Sequence, residues 1–312
     1  MQSFADAKVH PVDWLVEEFF PRRAVIFITA PTGMGKSTLM LHLALSVLTG
    51  RPWFGFTCTQ GKVAYWDQDN PDSHLTENRL CAIAAGMNLS EIPREPLSCL
   101  FRTRHRIDKE GKQLLGRLKD FGASVLFLDT FASINPFNEN DNTLMSQVMV
   151  DYLFPFAEAG ITVIALHHPA KEILLATPRQ LKAYQRQGPN AARGATGIPA
   201  ACGTTFNMVL DDQKRVTLVN AKPRYGNPPA LSILYDEHGQ MGSADWRITL
   251  KPAKPQASQE SAEIFIQGMP ADLRAEMSSR RLVEMMTDNG YFMSQSTASR
   301  ALKKWGESAP SH

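Results

Sequence analysis

The sequence predicts an α/β domain on a mostly parallel sheet, followed by a small helical module, and three observations carry that expectation. Four short apolar runs, at residues 24–29 (AVIFIT), 63–67 (VAYWD), 125–129 (VLFLD) and 162–166 (TVIAL), are hydrophobic almost without a break. Strands read this way when helices cover both faces of their sheet. The first run leads straight into a glycine-rich loop and then an apolar stretch, LMLHLALSVLTG, which is the order strand, loop, helix. Lastly, residues 252–261 (PAKPQASQES) are rich in Pro, Gln and Ser and read as a linker.

Taken in order, residues 1–23 form a lead-in and residues 24–251 the α/β domain. Runs at 205–210, 216–221 and 230–235 follow one another across short polar turns and extend the sheet as antiparallel hairpins. After the 252–261 linker, residues 262–312 form the small module. Residues 279–286 read as a helix, Asn289 and Gly290 as its stop, and Ser296 as the cap of a second helix over 297–305. That second helix carries Arg300, Lys303 and Lys304, which suits a helix-turn-helix or winged-helix module contacting DNA or a partner.

Composition narrows the function classes. Hydrophobic residues at 43% and charged residues at 21% exclude a disordered chain. With 33 basic against 31 acidic side chains the net charge is +2, so a nucleic-acid partner has to be held by a local basic patch. Cys58, Cys81, Cys99 and Cys202 show no CxxC pairing, which points to a reducing setting. The opening MQSFADAKVH lacks the pattern of a signal peptide, and no run approaches the roughly eighteen apolar residues of a membrane helix. The expectation is a cytoplasmic protein without a membrane partner.

Chemistry is most explicit in the loop Ala30-Pro-Thr-Gly33-Met34-Gly35-Lys36-Ser37-Thr38. Gly33 and Gly35 permit the tight turn that aims backbone N–H groups at phosphate oxygens, and the cradle includes Met34 and Thr38. Lys36 reaches the β and γ phosphates and Ser37 offers its hydroxyl to Mg²⁺. ATP and Mg²⁺ are therefore the expected cofactors. The strictest form of this motif begins with Gly where Ala30 stands here. A metal-holding acid is expected at the end of a neighbouring buried strand, and Asp129 closes such a strand. The strand ending in Asp67-Gln68-Asp69 offers two further carboxylates, one of which can orient the attacking water.

With these pieces in order, the chain resembles the RecA-like P-loop ATPases, and more closely the RepA-type hexameric replicative helicases. The likeness runs from about Asp13 to Tyr235 through the blocks DWLVEEFF, APTGMGKST, VAYWDQDNP, VLFLDT, IALHHPAK, ARGATGIPAAC and AKPRYG. The resemblance implies a RecA-like fold over 24–251. It implies that Asp69 stands where the family commonly has a glutamate base, and that His168 senses the γ-phosphate. Adjacent strand residues point to opposite faces, so His167 and His168 do not share a metal. The polar stretch 170–194, with Lys171, Arg179, Lys182, Arg186 and Arg193, falls where such rings face single-stranded DNA. The block Lys222-Pro-Arg224-Tyr-Gly is similar to the K-x-R-x-G of DnaB-like helicases, which makes Arg224 an arginine finger and Lys222 its assistant in a neighbouring subunit's site.

The function so implied is an ATP-driven DNA translocase and helicase, working as a homo-oligomeric ring, a hexamer, in replication of a plasmid, phage or mobile element. A replication initiator or primase is the further partner this implies. The competing class is a RecA-like DNA-binding ATPase that acts as a switch or loader without unwinding. A small-molecule kinase leaves the HHPAK and KPRYG blocks without a role.

Overall fold

In the central strand of the sheet, Val25 and Phe27 are buried on one face while Ile26 and Ile28 are buried on the other. That double burial is why the strand lacks polar alternation. The computed structural model describes residues 10–70, 72–101, 106–169, 198, 201–210, 215–226, 228–253, 259–270, 273–274, 277–288, 291, 293 and 295–308. The chain divides into two compact units, Met1–Lys251 and Pro252–His312.

In the first unit the strands are β1 (Trp14–Val16), β2 (Phe20–Pro21), β3 (Val25–Thr29), β4 (Lys62–Asp67), β5 (Leu97–Phe101), β6 (Ala123–Asp129), β7 (Thr162–His167), β8 (Thr204–Leu210), β9 (Val216–Asn220) and β10 (Leu231–His238), with β11 (Arg247–Pro252) at its close. The helices are α1 (Lys36–Thr49), α2 (Ser73–Gly86), α3 (Ile107–Phe121), α4 (Phe131–Ile134), α5 (Asn142–Val148) and α6 (Phe154–Glu158), the last two joined by a π-helical turn at Met149–Leu153. Among the described residues nine strands form one sheet in the order β11-β10-β9-β8-β3-β7-β6-β4-β5. From β8 to β5 every neighbouring pair is parallel, and β8, β9 and β10 are joined antiparallel. The fold is the mixed α/β, mostly parallel architecture that the apolar runs predict.

α1 shows how sequence sets local structure. Gly35 at φ 77° and Gly50 at φ 70° bracket it in the left-handed conformation that glycine adopts without penalty. Between them the helix is buried on nearly every side, its His42 and Ser46 included. It shares one core with β3, β4, β6, β7 and β8, while α3 to α6 share the core on the opposite face.

The lead-in is part of this packing. Leu15, Val16, Phe19 and Phe20 of the β1–β2 hairpin are buried, with the Phe19 and Phe20 rings 6.2 and 5.1 Å from that of Phe206. A three-residue and a two-residue strand carry no readable period, so nothing in the sequence marks this hairpin. β5 is equally silent in the sequence, because it lies at the sheet's edge and its Leu97, Ser98 and Cys99 are only partly buried.

The second unit holds α7 (Gln259–Gln267), α8 (Ser279–Asp288) and α9 (Gln295–Ser308) around Ala262, Ile266, Leu282, Met286, Met293, Ala298 and Ala301. Two expectations change here. α7 begins at Gln259, so the end of the 252–261 linker is helical. α9 begins at Gln295, which places Ser296 within the helix and not at its cap.

Candidate nucleotide site

The site lies at the carboxyl end of the parallel strands, where the loop after β3 meets the ends of β4, β6 and β7. A cavity of about 480 Å³ is lined there by Thr32 to Thr38, Asp69, Asn70, Arg79, His168 and Tyr235, with Trp246 and Ile248 on a further wall. Gly33 at φ 81° and Gly35 at φ 77° carry the turn of the loop, where a side chain would be strained. Lys36 Nζ donates to the carbonyls of Ala30 and Pro31 at 3.0 and 3.1 Å, so the loop folds around its own lysine. Burial holds the Lys36 pKa below its usual value, opposed by the charges of Asp129 and Asp69.

β7 lies between the strand of the loop and the strand of Asp129, so the acid sits two strands away and not on the adjacent one. Asp129 pairs in register with Asp67 across β6 and β4. The Tyr65 hydroxyl donates to Asp129 Oδ2 at 2.7 Å, while Oδ1 is buried without a hydrogen-bond partner. Burial raises the Asp129 pKa to about 6; the Ser37 and Tyr65 hydroxyls pull it back, and the charges of Asp67 and Asp69 push it further up. A buried carboxylate oxygen without a donor, facing a serine hydroxyl and a lysine, fits a hard divalent cation such as Mg²⁺.

Asp67 is different. It accepts from the Asp69 and Asn70 backbone N–H groups, each at 3.1 Å, from Asn70 Nδ2 at 2.8 Å and from the Thr76 hydroxyl. Its lone pairs are consumed in holding the loop after β4. Asp69, two residues further along that loop, is exposed and lines the cavity. Of the two carboxylates at this strand end, Asp69 is therefore the one with an oxygen to offer a water.

His167 is buried against Phe27 and Phe131, at ring distances of 6.0 and 5.8 Å, whereas His168 is half-buried and faces the cavity. Burial lowers the His168 pKa, as does the Lys36 charge, with Asp69 opposing. The neutral ring is thus favoured, which can accept or donate one hydrogen bond at a phosphate oxygen. The two histidines face opposite ways, and no group of metal-binding side chains forms among the described residues.

Lys222 and Arg224 are not in this cavity. Lys222 Nζ donates to the Cys202 carbonyl at 3.0 Å, and the Thr204 hydroxyl donates to the Lys222 carbonyl at 2.8 Å. Thr204 pairs with Ile26, three residues or about 10 Å before the strand end that bears the loop. The pair therefore sits toward the amino end of the parallel strands, with Arg224 exposed. Burial lowers the Lys222 pKa, helped by Arg224. Lys171, Arg179, Lys182, Arg186 and Arg193 lie outside the described residues.

Residues 2–173, more than half of the chain, match the AAA domain family AAA_25. The chain belongs to that family. Among solved structures this AAA_25 protein is similar to an ATPase domain, at 16% identity and a TM-score of 0.52, over 73% of this chain and 89% of that one. A KaiC-like protein, PH0186, of Pyrococcus horikoshii OT3 matches at 14% identity and a TM-score of 0.49, over 76% of this chain and 94% of its own. No curated protein matches in sequence. The family is one of P-loop ATPases and the fold is RecA-like.

Sequence reasoning missed Tyr65, Arg79 and Tyr235 in this ATPase. Asp72 caps α2 by accepting from the His74 N–H at 2.9 Å, and Thr76 and Arg79 then share a face one turn in. Since Thr76 touches Asp67, Arg79 is brought to the same strand end, a relation the cap and spacing could have signalled. Tyr235 could not have been found. Its ring lies where a Cβ on Gly35 would be 2.9 Å away, across a separation of 200 residues.

Proposed function

We propose that the chain is an ATP-driven DNA translocase and helicase of the RepA and DnaB type, acting on single-stranded DNA as a closed homo-oligomeric ring in replication of a plasmid, phage or mobile element. The observation that carries this reading is the division of the charged groups between the two ends of the sheet. The carboxyl end supplies a phosphate loop, a carboxylate with an orphaned oxygen, an exposed carboxylate and a neutral histidine. The exposed Arg224 stands toward the other end, where it serves a second copy and not its own nucleotide. Heterologous contacts that close make a ring, for which a hexamer is the expected size.

In this mechanism the backbone N–H groups of Gly33 to Thr38 and the Lys36 ammonium hold the phosphates, and Ser37 and Asp129 hold the cation. Bound Mg²⁺ supplies charge neutralisation on the phosphate oxygens. Asp69 orients a water toward the γ-phosphorus and takes its proton. Arg79 places a positive charge beside the phosphates from within the subunit, while Arg224, assisted by Lys222, does so from the neighbour. His168 hydrogen-bonds the γ-phosphate and is followed directly by the basic segment containing Lys171, Arg179, Lys182, Arg186 and Arg193. Loss of the phosphate thereby reaches the DNA-facing segment.

Hydrolysis measured with and without single-stranded DNA tests the reading. Stimulation by DNA is expected, with Lys36→Ala and Arg224→Ala each inactive alone and partly active when mixed, since each variant supplies the half-site the other lacks. Hydrolysis indifferent to DNA overturns translocation, and full activity of Arg224→Ala overturns the shared site. Strand displacement then separates a helicase from a switch that binds DNA without unwinding it.

A further inference from the structure

The second unit lies wholly outside the residues that match the family, and the ATPase mechanism makes no use of it. Helices α7, α8 and α9 make a small core of their own, with α9 packed against both α7 and α8. The buried side of α9 is Thr297, Ala298 and Ala301, small residues that let it lie close on its neighbours. Its exposed side carries Gln295, Ser299, Arg300, Lys303 and Lys304. From Gln295 to Trp305 the chain has three basic residues and no acid, although residues 259–288 hold several acids. Positive charge is thus gathered on the solvent face of the helix that follows the turn.

We propose that α9 is the recognition helix of a helix-turn-helix unit that binds double-stranded DNA in the major groove. The helix has 14 residues, about 21 Å, and a helix of this diameter fits a groove about 12 Å wide. Gln295, Ser299 and Arg300 occupy its first two turns, and these are side chains that hydrogen-bond adenine, either base edge and guanine respectively. Lys303, one turn on, reaches the phosphates, while Lys304 pairs with Glu263 at 2.8 Å and ties α9 to α7. Arg281 at the start of α8 adds positive charge on the preceding helix, where Arg280 is paired with Glu284 at 3.3 Å. Single-stranded binding calls for successive exposed aromatic platforms, and the described exposed residues from Tyr291 through α9 include one, Tyr291 itself. Duplex RNA is excluded by its deep, narrow major groove, which side chains on a helix cannot read. The chain then has two nucleic-acid surfaces of different kind, and this one does not depend on the ATPase reading.

The test uses the full chain without ATP and a fluorescein-labelled duplex of about 25 base pairs, read by anisotropy across a salt series. The double substitution Arg300→Ala with Lys303→Ala, at two exposed positions, is expected to weaken duplex binding about tenfold or more. It also flattens the slope of log affinity against log salt by about 0.9, the share of the one phosphate contact made by Lys303. Binding of a single-stranded oligonucleotide and hydrolysis of ATP stay as in the parent, which shows that the variant is folded. Gln295→Ala, which removes no charge, leaves the salt slope alone and changes the preference among duplex sequences. A parent that does not bind duplex, a double variant that binds it as tightly, or an equal loss on single strands overturns the proposal. An unchanged sequence preference in Gln295→Ala overturns the major-groove placement.

Discussion

Asp67 and Asp129 are in-register neighbours at the ends of β4 and β6, each about 1% exposed, yet the protein treats them as opposites. Asp67 has four donors from its own loop and from α2. Asp129 has the Tyr65 hydroxyl on one oxygen and no partner on the other. A saturated buried carboxylate holds structure together, whereas an unsaturated one costs stability until something binds it. The depth of burial is the same; the number of donors assigns the role.

Substitutions at this pair sharpen or break the contrast. The largest effect is on activity: Asp129→Asn lowers ATP hydrolysis by at least about a hundredfold, because the cation loses its anionic ligand. Near-parental turnover would remove Asp129 from the site. Asp67→Ala strands buried donors and is expected to cost about 2–4 kcal/mol of stability in denaturant unfolding. Because the loop it holds carries Asp69, the turnover number falls more than the Michaelis constant rises. A loss below about 1 kcal/mol would mean that the loop holds itself.

Asp129→Asn should act in the other direction on the nucleotide-free protein. A carboxyl whose folded pKa is raised from 3.8 to about 6 stabilises the fold fully below pH 3.8 and loses that contribution as pH rises through about 6. The substitution therefore raises the melting temperature at pH 7.5, by at most about 3 kcal/mol in free-energy terms, and the gain shrinks as pH falls toward 4. A pH-independent difference would show that ionisation is not its source. The smallest change is Tyr65→Phe, which removes one donor at a cost of about 1 kcal/mol. It raises the Asp129 pKa further, so the fall in stability on raising pH moves to higher pH.

What the sequence disclosed follows the same logic. β3, β6 and β7 were legible because burial on two faces leaves a continuous apolar string, and the loop after β3 because its chemistry needs residues adjacent in the chain. At the end of β4 the sequence showed two carboxylates and could not rank them. Their difference lies in Thr76 and Asn70, which reach Asp67 only after α2 has folded back. Tyr235 was beyond reach for a related reason, since a ring that meets Gly35 from 200 residues away leaves no local pattern. Ser296 failed as a cap because the helix starts at Gln295, two residues before the expected start at Thr297.

The sheet order carries a consequence for biosynthesis. β3 is flanked by β7 and β8, whose partners to Val25 and Ile26 are Val163 and Thr204. A ribosome that has made β3 and the largely buried α1 must therefore add more than a hundred residues before either edge of β3 is paired. Until then the nascent chain displays an apolar strand with both edges open, and this stretch is where a chaperone has the most to protect.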